Sequence, residues 1–254
     1  GAKPVACDIS EKTFLMDLSD AERRITSRTK AVIPVHYTGG VGVIDTVFSF
    51  AEKFNLRVIE DAAHAFGTIY KGKRVGSFGD IACFSFDGIK NITSGEGGCI
   101  VSSDMGIISA VSDARLLGVK QDSKNRVLGK RTWLPEVDSQ GWRYHMSDIM
   151  AAIGVEQLKR FEELSTKRQQ LASAYDEQFT SCQFIQPLVH NYKEVVPHIY
   201  VIKLPMIKNR NKLQEKLSDR GIQTGLHYQP NHWLSFYRED GALPLPVTDE
   251  YSKK

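Results

Sequence analysis

The chain has 254 residues, 41% hydrophobic and 25% charged, with a formal net charge of +3. That is ordinary globular composition, long enough for one large domain or two unequal ones. So small and dispersed a charge gives no footprint for nucleic acid, and no apolar run reaches the roughly 18 residues of a membrane-spanning helix.

Four cysteines, Cys7, Cys83, Cys99 and Cys182, form no C-x-x-C pair, so zinc and thiol-redox motifs are absent. Cys83 and Cys99 sit in apolar runs and are expected as small buried hydrophobes in a reducing cytoplasm.

In chain order, residues 4–9 read as a short strand and 17–25 as a polar helix with Leu18 and Ala21 on one face. The β-branched run 31–35 reads as a buried strand ending at His36-Tyr37-Thr38-Gly39-Gly40. Residues 45–55 form an amphipathic helix capped by Asp45, with Val47, Phe48, Ala51 and Phe54 on one stripe. Strand 56–59 follows, which makes a βαβ unit with parallel strands. A turn-rich stretch, 70–80, leads to an apolar run ending at Phe86, then to a loop holding Lys90 and several glycines, then to strand 97–102. A helix is expected over 107–117, ended by Gly118.

Residues 119–141 are polar and irregular, with Lys120, Lys124, Arg126, Lys130 and Arg131. Ser147 should cap one long helix to about Leu164, whose stripe of Met146, Ile149, Met150, Ile153, Leu158, Phe161 and Leu164 reads as core. A second helix is expected over 168–179, strands over 184–190, 198–204 and 222–228, and a helix over 209–220 ended by Gly221.

The chemistry concentrates between residues 58 and 98. Val58-Ile59 stops at Glu60-Asp61, followed by Ala62-Ala63-His64-Ala65; the run to Phe86 carries Ser85 and precedes Lys90. In α/β sheets ligands gather where parallel strands end, so Asp61, His64, Ser85 and Lys90 can converge. Taken singly each has an ordinary reading: a solvated loop lysine, a turn-capping acid, a packing histidine, a strand serine. Taken together they match the needs of pyridoxal phosphate (PLP). That cofactor wants a lysine for its aldehyde, an acid for its pyridinium nitrogen, and hydroxyl or backbone donors for its phosphate.

The order Ile-Glu-Asp-Ala-Ala-His-Ala, Gly-Ser-Phe-Gly-Asp, Phe-Ser-Phe, Lys-Asn and Gly-Glu-Gly-Gly resembles the DegT/DnrJ-type family of PLP-dependent nucleotide-sugar aminotransferases. The resemblance implies a three-layer α/β fold of type I with a mainly parallel sheet. Residues 1–160 would form the PLP-binding large domain and 161–254 a smaller α+β domain. It implies that Lys90 is the catalytic lysine holding the cofactor aldehyde. Asp61 would pair with the ring nitrogen, His64 would lie beside the ring face and its phenolic oxygen, and Ser85 would contact the phosphate. The Pro-Val-His stretch ending at His36 would lie close to the cofactor; an ordinary strand end is the other reading. His145 departs from the family's usual Asn or Arg, and would reach phosphate in a partner subunit's site.

His227 and Tyr228, in a His-Tyr-x-Pro-x-His segment, would line the substrate; a metal site there lacks a third ligand cluster. Glutamate is the implied donor and a keto group on a nucleotide-linked deoxysugar the acceptor, in surface polysaccharide, lipopolysaccharide or amino-sugar synthesis. A homodimer with shared sites is implied, without nucleic acid or membrane. Against family length the chain reads as a fragment lacking the N-terminal part and the extreme C-terminus. A non-catalytic remnant or interaction subunit is therefore the alternative.

Overall fold

The computed structural model describes residues 1–120, 128–129, 136–207, 209–238 and 241–253. The predicted loop residues Lys124, Arg126, Lys130 and Arg131 lie outside that set.

Helix α1 (Leu18–Arg24) is capped by Asp17, whose side chain accepts from the Ser19 amide. Strand β1 (Ala31–Val32) leads through the turn at residues 36–40 into α2 (Ile44–Lys53), then β2 (Arg57–Asp61). β1 and β2 pair in parallel, as the βαβ pattern requires. A small antiparallel ribbon, β3 (Ile69–Tyr70) and β4 (Lys73–Arg74), precedes β5 (Ile81–Ser85) and β6 (Gly98–Ser102). The main sheet runs β1-β2-β5-β6, with β2 and β5 parallel and β6 antiparallel. Ile44, Val47, Phe50 and Ala51 of α2 bury against Val32, Val58 and Ala62, with Phe48 and Phe54 packed at the margin.

Asp45 does not cap α2. The helix starts one residue earlier, with Val43 at the cap position, and the exposed Asp45 carboxylate binds Lys71 and Tyr70 instead.

Helix α3 (Met105–Ala114) starts and ends before the span expected from sequence. Asp104 sets its start by accepting from the Gly106 and Ile107 amides. The long helix predicted to run to Leu164 is broken. α4 (Asp148–Lys159) stops at Arg160, whose φ of −95° and ψ of 0° leave the helical range, and α5 (Phe161–Phe179) starts directly after it. The break drives Phe161 into a second core cluster with Ile92, Val196, Phe66 and Phe86. The α4 stripe predicted as core is largely exposed: Ile149 is 77% accessible and Leu158 56%. Nothing among the described residues covers it.

The three predicted C-terminal strands shrink to β7 (Gln186–Pro187) and β8 (Ile202–Lys203), paired antiparallel. Residues 222–228 form no strand. The intervening segment hydrogen-bonds to the large sheet's loops instead: the Ile69 amide donates to Glu194 O, the Val196 amide to Thr68 Oγ1, and the His198 amide to Thr38 O. Gly39 makes this possible. Its φ is +105°, and a Cβ there would stand 2.5 Å from Val196 O. Helices α6 (Arg210–Ser218), begun by Asn209, and α7 (Pro246–Tyr251) complete the fold. Among the described residues no helix is long and apolar enough to cross a membrane.

Residues 4–9 do not form the predicted strand; a single bridge joins Ile9 to Met16. The reason is Asp8, 4% exposed, whose carboxylate caps α7 from the other end of the chain. It accepts from the Val247 and Thr248 amides at 2.9 and 2.8 Å and from the Thr248 hydroxyl at 2.7 Å. Burial alone would raise the Asp8 pKa, but those bonds and the Ile9 amide outweigh it and hold the carboxyl below its ordinary value. The charged form is thus favoured by folding, and its contribution is present above the unfolded pKa of about 3.9 and lost as pH falls through the folded one. Asp8→Ala is expected to lower stability by about 2 kcal/mol near neutral pH. Denaturant titration should show the gap from wild type narrowing below about pH 4.

Candidate active site at the carboxyl edge of the parallel strands

The site begins where β2 and β5 stop. Asp61 pairs with Cys83 in the parallel register, Val35 bridges to Asp61 on the other side, and Ser85 faces Gly98 of β6. Strand alternation sends the two neighbouring carboxylates to opposite faces. Glu60, 1% exposed, pairs with the buried His36 at 2.7 Å between Nε2 and Oε2. His36 is therefore tied to Glu60 and serves as a link between two strands. Asp61 points the other way, half-buried, with Oδ1 accepting from the Ala63 amide at 3.1 Å.

Lys90 lies in the turn after β5, held by its own amide donating to Asp87 O at 3.0 Å. The next residue anchors that turn: Asn91, 4% exposed, donates from Nδ2 to Phe66 O and Val196 O. Gly97, at φ +138°, closes the loop, and a Cβ there would meet Met146 at 2.7 Å. Met146 thereby brings the start of α4 against the Lys90 loop.

His64 is the meeting point. It is 7% exposed and its pKa is pushed down to about 4, first by burial, then by the Lys90 charge and by His227, against an opposing pull from Asp61. Lys90, Asp61 and His227 are thus all within electrostatic reach of one ring. Tyr228 also faces it, with ring centroids 6.3 Å apart. Burial first, then Asp87 and Asp61, raises the Tyr228 pKa. So four of the predicted positions, Asp61, Lys90, His227 and Tyr228, gather around a fifth, His64.

Ser85 and His145 are placed less centrally. Ser85 Oγ accepts from the Asp87 amide at 3.3 Å, at the foot of the Lys90 turn. His145 is exposed, in the irregular stretch before α4.

Sequence reasoning missed two rings. Tyr37, in the turn after β1, lies with its ring 6.0 Å from His64 and tilted 41° to it, and its hydroxyl donates to His227 O. Its pKa is pushed up to about 12 by burial and then by Tyr228. His198 lies 4.3 Å from His64, centroid to centroid, and is 5% exposed. Tyr37 stood in the turn singled out for His36, so a signal existed; His198 was hidden in a stretch read as strand. His232, the second histidine of the His-Tyr-x-Pro-x-His segment, binds Asp249 at 2.8 Å. Among the described residues no group of three or more ligating side chains could hold a metal.

The donor set fits PLP. A carboxylate and a hydroxyl at the ends of the adjoining strands β2 and β5, and an amine in the turn after β5, match ring nitrogen, phosphate and aldehyde. Buried polar atoms beside them, His64 Nδ1 and Asn91 Oδ1, have no partner among the described residues. Such orphans need an explanation, and a polar ligand is one.

Known proteins agree with that chemistry. Over 242 residues the chain is 39% identical to the protein MJ1066 of Methanocaldococcus jannaschii, covering 94% of this chain and 63% of that one. The chain therefore spans less than two thirds of that curated relative. Among solved structures it resembles Helicobacter pylori PseC, an aminotransferase involved in the biosynthesis of pseudoaminic acid. The TM-score is 0.89 at 29% identity, over 100% of this chain and 67% of that one. It also resembles Spr1654 of Streptococcus pneumoniae in its PMP form, with TM-score 0.87 at 30% identity, over 100% and 70%. The model of the DegT/DnrJ/EryC1/StrS aminotransferase family matches residues 1–254, and the chain belongs to that family.

Proposed function

We propose that the protein to which this chain belongs is a sugar aminotransferase that passes an amino group from glutamate to a keto group of a nucleotide-linked deoxysugar. Aminotransferases of the family are PLP-dependent. The observation that carries the reading is that Lys90 and Asp61, at and just past the ends of neighbouring parallel strands, both lie within electrostatic reach of the buried His64.

When bound, PLP supplies an aldehyde for an amine and an electron-withdrawing ring. Lys90 is the residue that would hold the aldehyde and then, at its Nζ, take a proton from the amine-bearing carbon of the donor and, in the second half of the reaction, return one to the carbon aminated in the acceptor. Its turn is fixed through Asn91, so the amine is delivered from a rigid base. Asp61 would pair with the ring nitrogen and hold the proton there. His64, kept neutral by its surroundings, can offer or accept one hydrogen bond at the ring without adding a charge.

Ser85 Oγ is assigned to phosphate, and His145 to phosphate in the partner subunit of a homodimer. Its exposure and its place beside Met146 support that reading. His227 and Tyr228 are assigned to the sugar side, where Tyr228 is 58% exposed and open to a substrate. A large domain over 1–160 and a small one over 161–254 is proposed as well, and the helix break at Arg160 supports that boundary. The cellular setting proposed is cytoplasmic synthesis of surface polysaccharide, lipopolysaccharide or an amino sugar.

Incubation with PLP, glutamate and a nucleotide-linked keto sugar should yield 2-oxoglutarate and an amino sugar in equal amounts, read by mass spectrometry. Cofactor binding with no 2-oxoglutarate from any keto sugar would favour the non-catalytic alternative.

A further inference from the structure

His198 belongs to no predicted role, and its surroundings are unusual. It is 5% exposed, yet neither Nδ1 nor Nε2 has a hydrogen-bond partner among the described residues. Its place is set by the backbone: the amide donates to Thr38 O at 3.0 Å, and its carbonyl accepts from Arg168 Nη1 at 3.1 Å. The ring is then left lying against His64 at 4.3 Å and 41°.

A working histidine usually has one ring nitrogen tied to a carboxylate or carbonyl, which fixes the plane of the ring. Among the described residues His64 lacks that device: its buried Nδ1 has no partner. What surrounds it is rings: His198 at 4.3 Å, Tyr37 at 6.0 Å and Tyr228 at 6.3 Å. His198 is the nearest of these, and Tyr228 is largely open to solvent.

We propose that His198 is a positioning residue whose flat ring, and not its nitrogens, holds the plane of the His64 imidazole and keeps water from it. The proposal rests on His64 being a site residue, as read above. The charged and titratable groups facing the pair are Lys90, Asp61 and His227 around His64, and His64, Lys90, Arg168 and His227 around His198. Burial, followed by these neighbours, drives the pKa of His198 down to about 3, so both rings are neutral. Two neutral rings in contact pack as aromatic surfaces and need no counter-charge. Since the His198 nitrogens make no protein hydrogen bond, a phenyl ring in their place breaks none.

The test compares His198→Phe, which keeps the ring, with His198→Ala, which removes it. The readout is the His64 imidazole signal in labelled protein without cofactor, between about pH 5 and pH 8. Wild type and His198→Phe should show His64 neutral throughout. His198→Ala should admit water and bring the His64 midpoint up by more than about one unit. Affinity for added PLP should follow the same order, with His198→Ala weaker by about tenfold. If His198→Ala does not fold, His198→Gln, which keeps polar atoms without the ring, should behave as the alanine variant is expected to.

The proposal is overturned if His198→Phe moves His64 as far as the ring-removing variants do, or if those variants leave His64 where it is in wild type. The titration is read without PLP, so it stands or falls separately from the amine chemistry of Lys90.

Discussion

Lys90→Ala is expected to abolish turnover, by at least about 10³-fold, while leaving the fold intact. The amine is asked to do two jobs, holding the aldehyde and moving a proton, and no neighbour can replace it. His64 and His198 offer no amine and, with their pKa values pushed far below the ordinary imidazole range, are weak proton acceptors, and Arg168 does not give up its proton. The fold should survive because the turn is held by backbone and by Asn91, not by the Lys90 side chain. Stability within about 0.5 kcal/mol of wild type is expected. A second signature distinguishes loss of the amine from general damage. Lys90's charge is one cause of the depressed His64 pKa, so its removal should let that pKa rise. Normal transamination by the variant would end the account.

Asp61→Asn is expected to reduce turnover by about 10²-fold while retaining part of the cofactor affinity. Losing one partner of a buried charge pair costs about 2–5 kcal/mol, and here the orphan would be the protonated ring nitrogen. The substitution is mild for the protein itself, because Asp61 Oδ1 accepts from the Ala63 amide and an asparagine Oδ1 can do the same. The effect on His64 has the opposite sign from that of Lys90→Ala. Asp61 pulls the His64 pKa up, so the asparagine variant should leave it lower still. Steady-state assays with an imidazole titration check both parts. Activity close to wild type would remove Asp61 from the role.

Much of the large domain was legible because its signals are local. The β1-α2-β2 unit announces itself by a β-branched run, a helical stripe and a second apolar run, and all three appear, though the first, expected as a buried strand over 31–35, is strand only at Ala31–Val32 with Ile33 and Val35 exposed. The convergence of Asp61, His64 and Lys90 followed from the rule that parallel strands deliver their carboxyl ends to one edge. What stayed hidden depends on contacts between distant segments. Periodicity made residues 198–204 a strand, but the Thr38, Thr68 and Ile69 backbone and side-chain groups claim residues 194–198 first. That long-range pairing puts His198 on His64.

The α4 stripe shows a different limit. Its period reports an apolar face, and periodicity cannot say what covers it. The break at Arg160 was invisible because both flanks suit a helix. The burial of Phe161 beside Phe66 accompanies the break. Asp8 looked like part of an edge strand, and the helix it caps lies about as far away in sequence as the chain allows.

The most direct test of the central claim is reductive trapping. The protein is loaded with PLP, treated with borohydride, digested and mapped by mass spectrometry. A phosphopyridoxyl group fixed on the peptide carrying Lys90, and missing from that peptide in Lys90→Ala, is the result expected. Label scattered over surface lysines, with the Lys90 peptide unmodified, would contradict it.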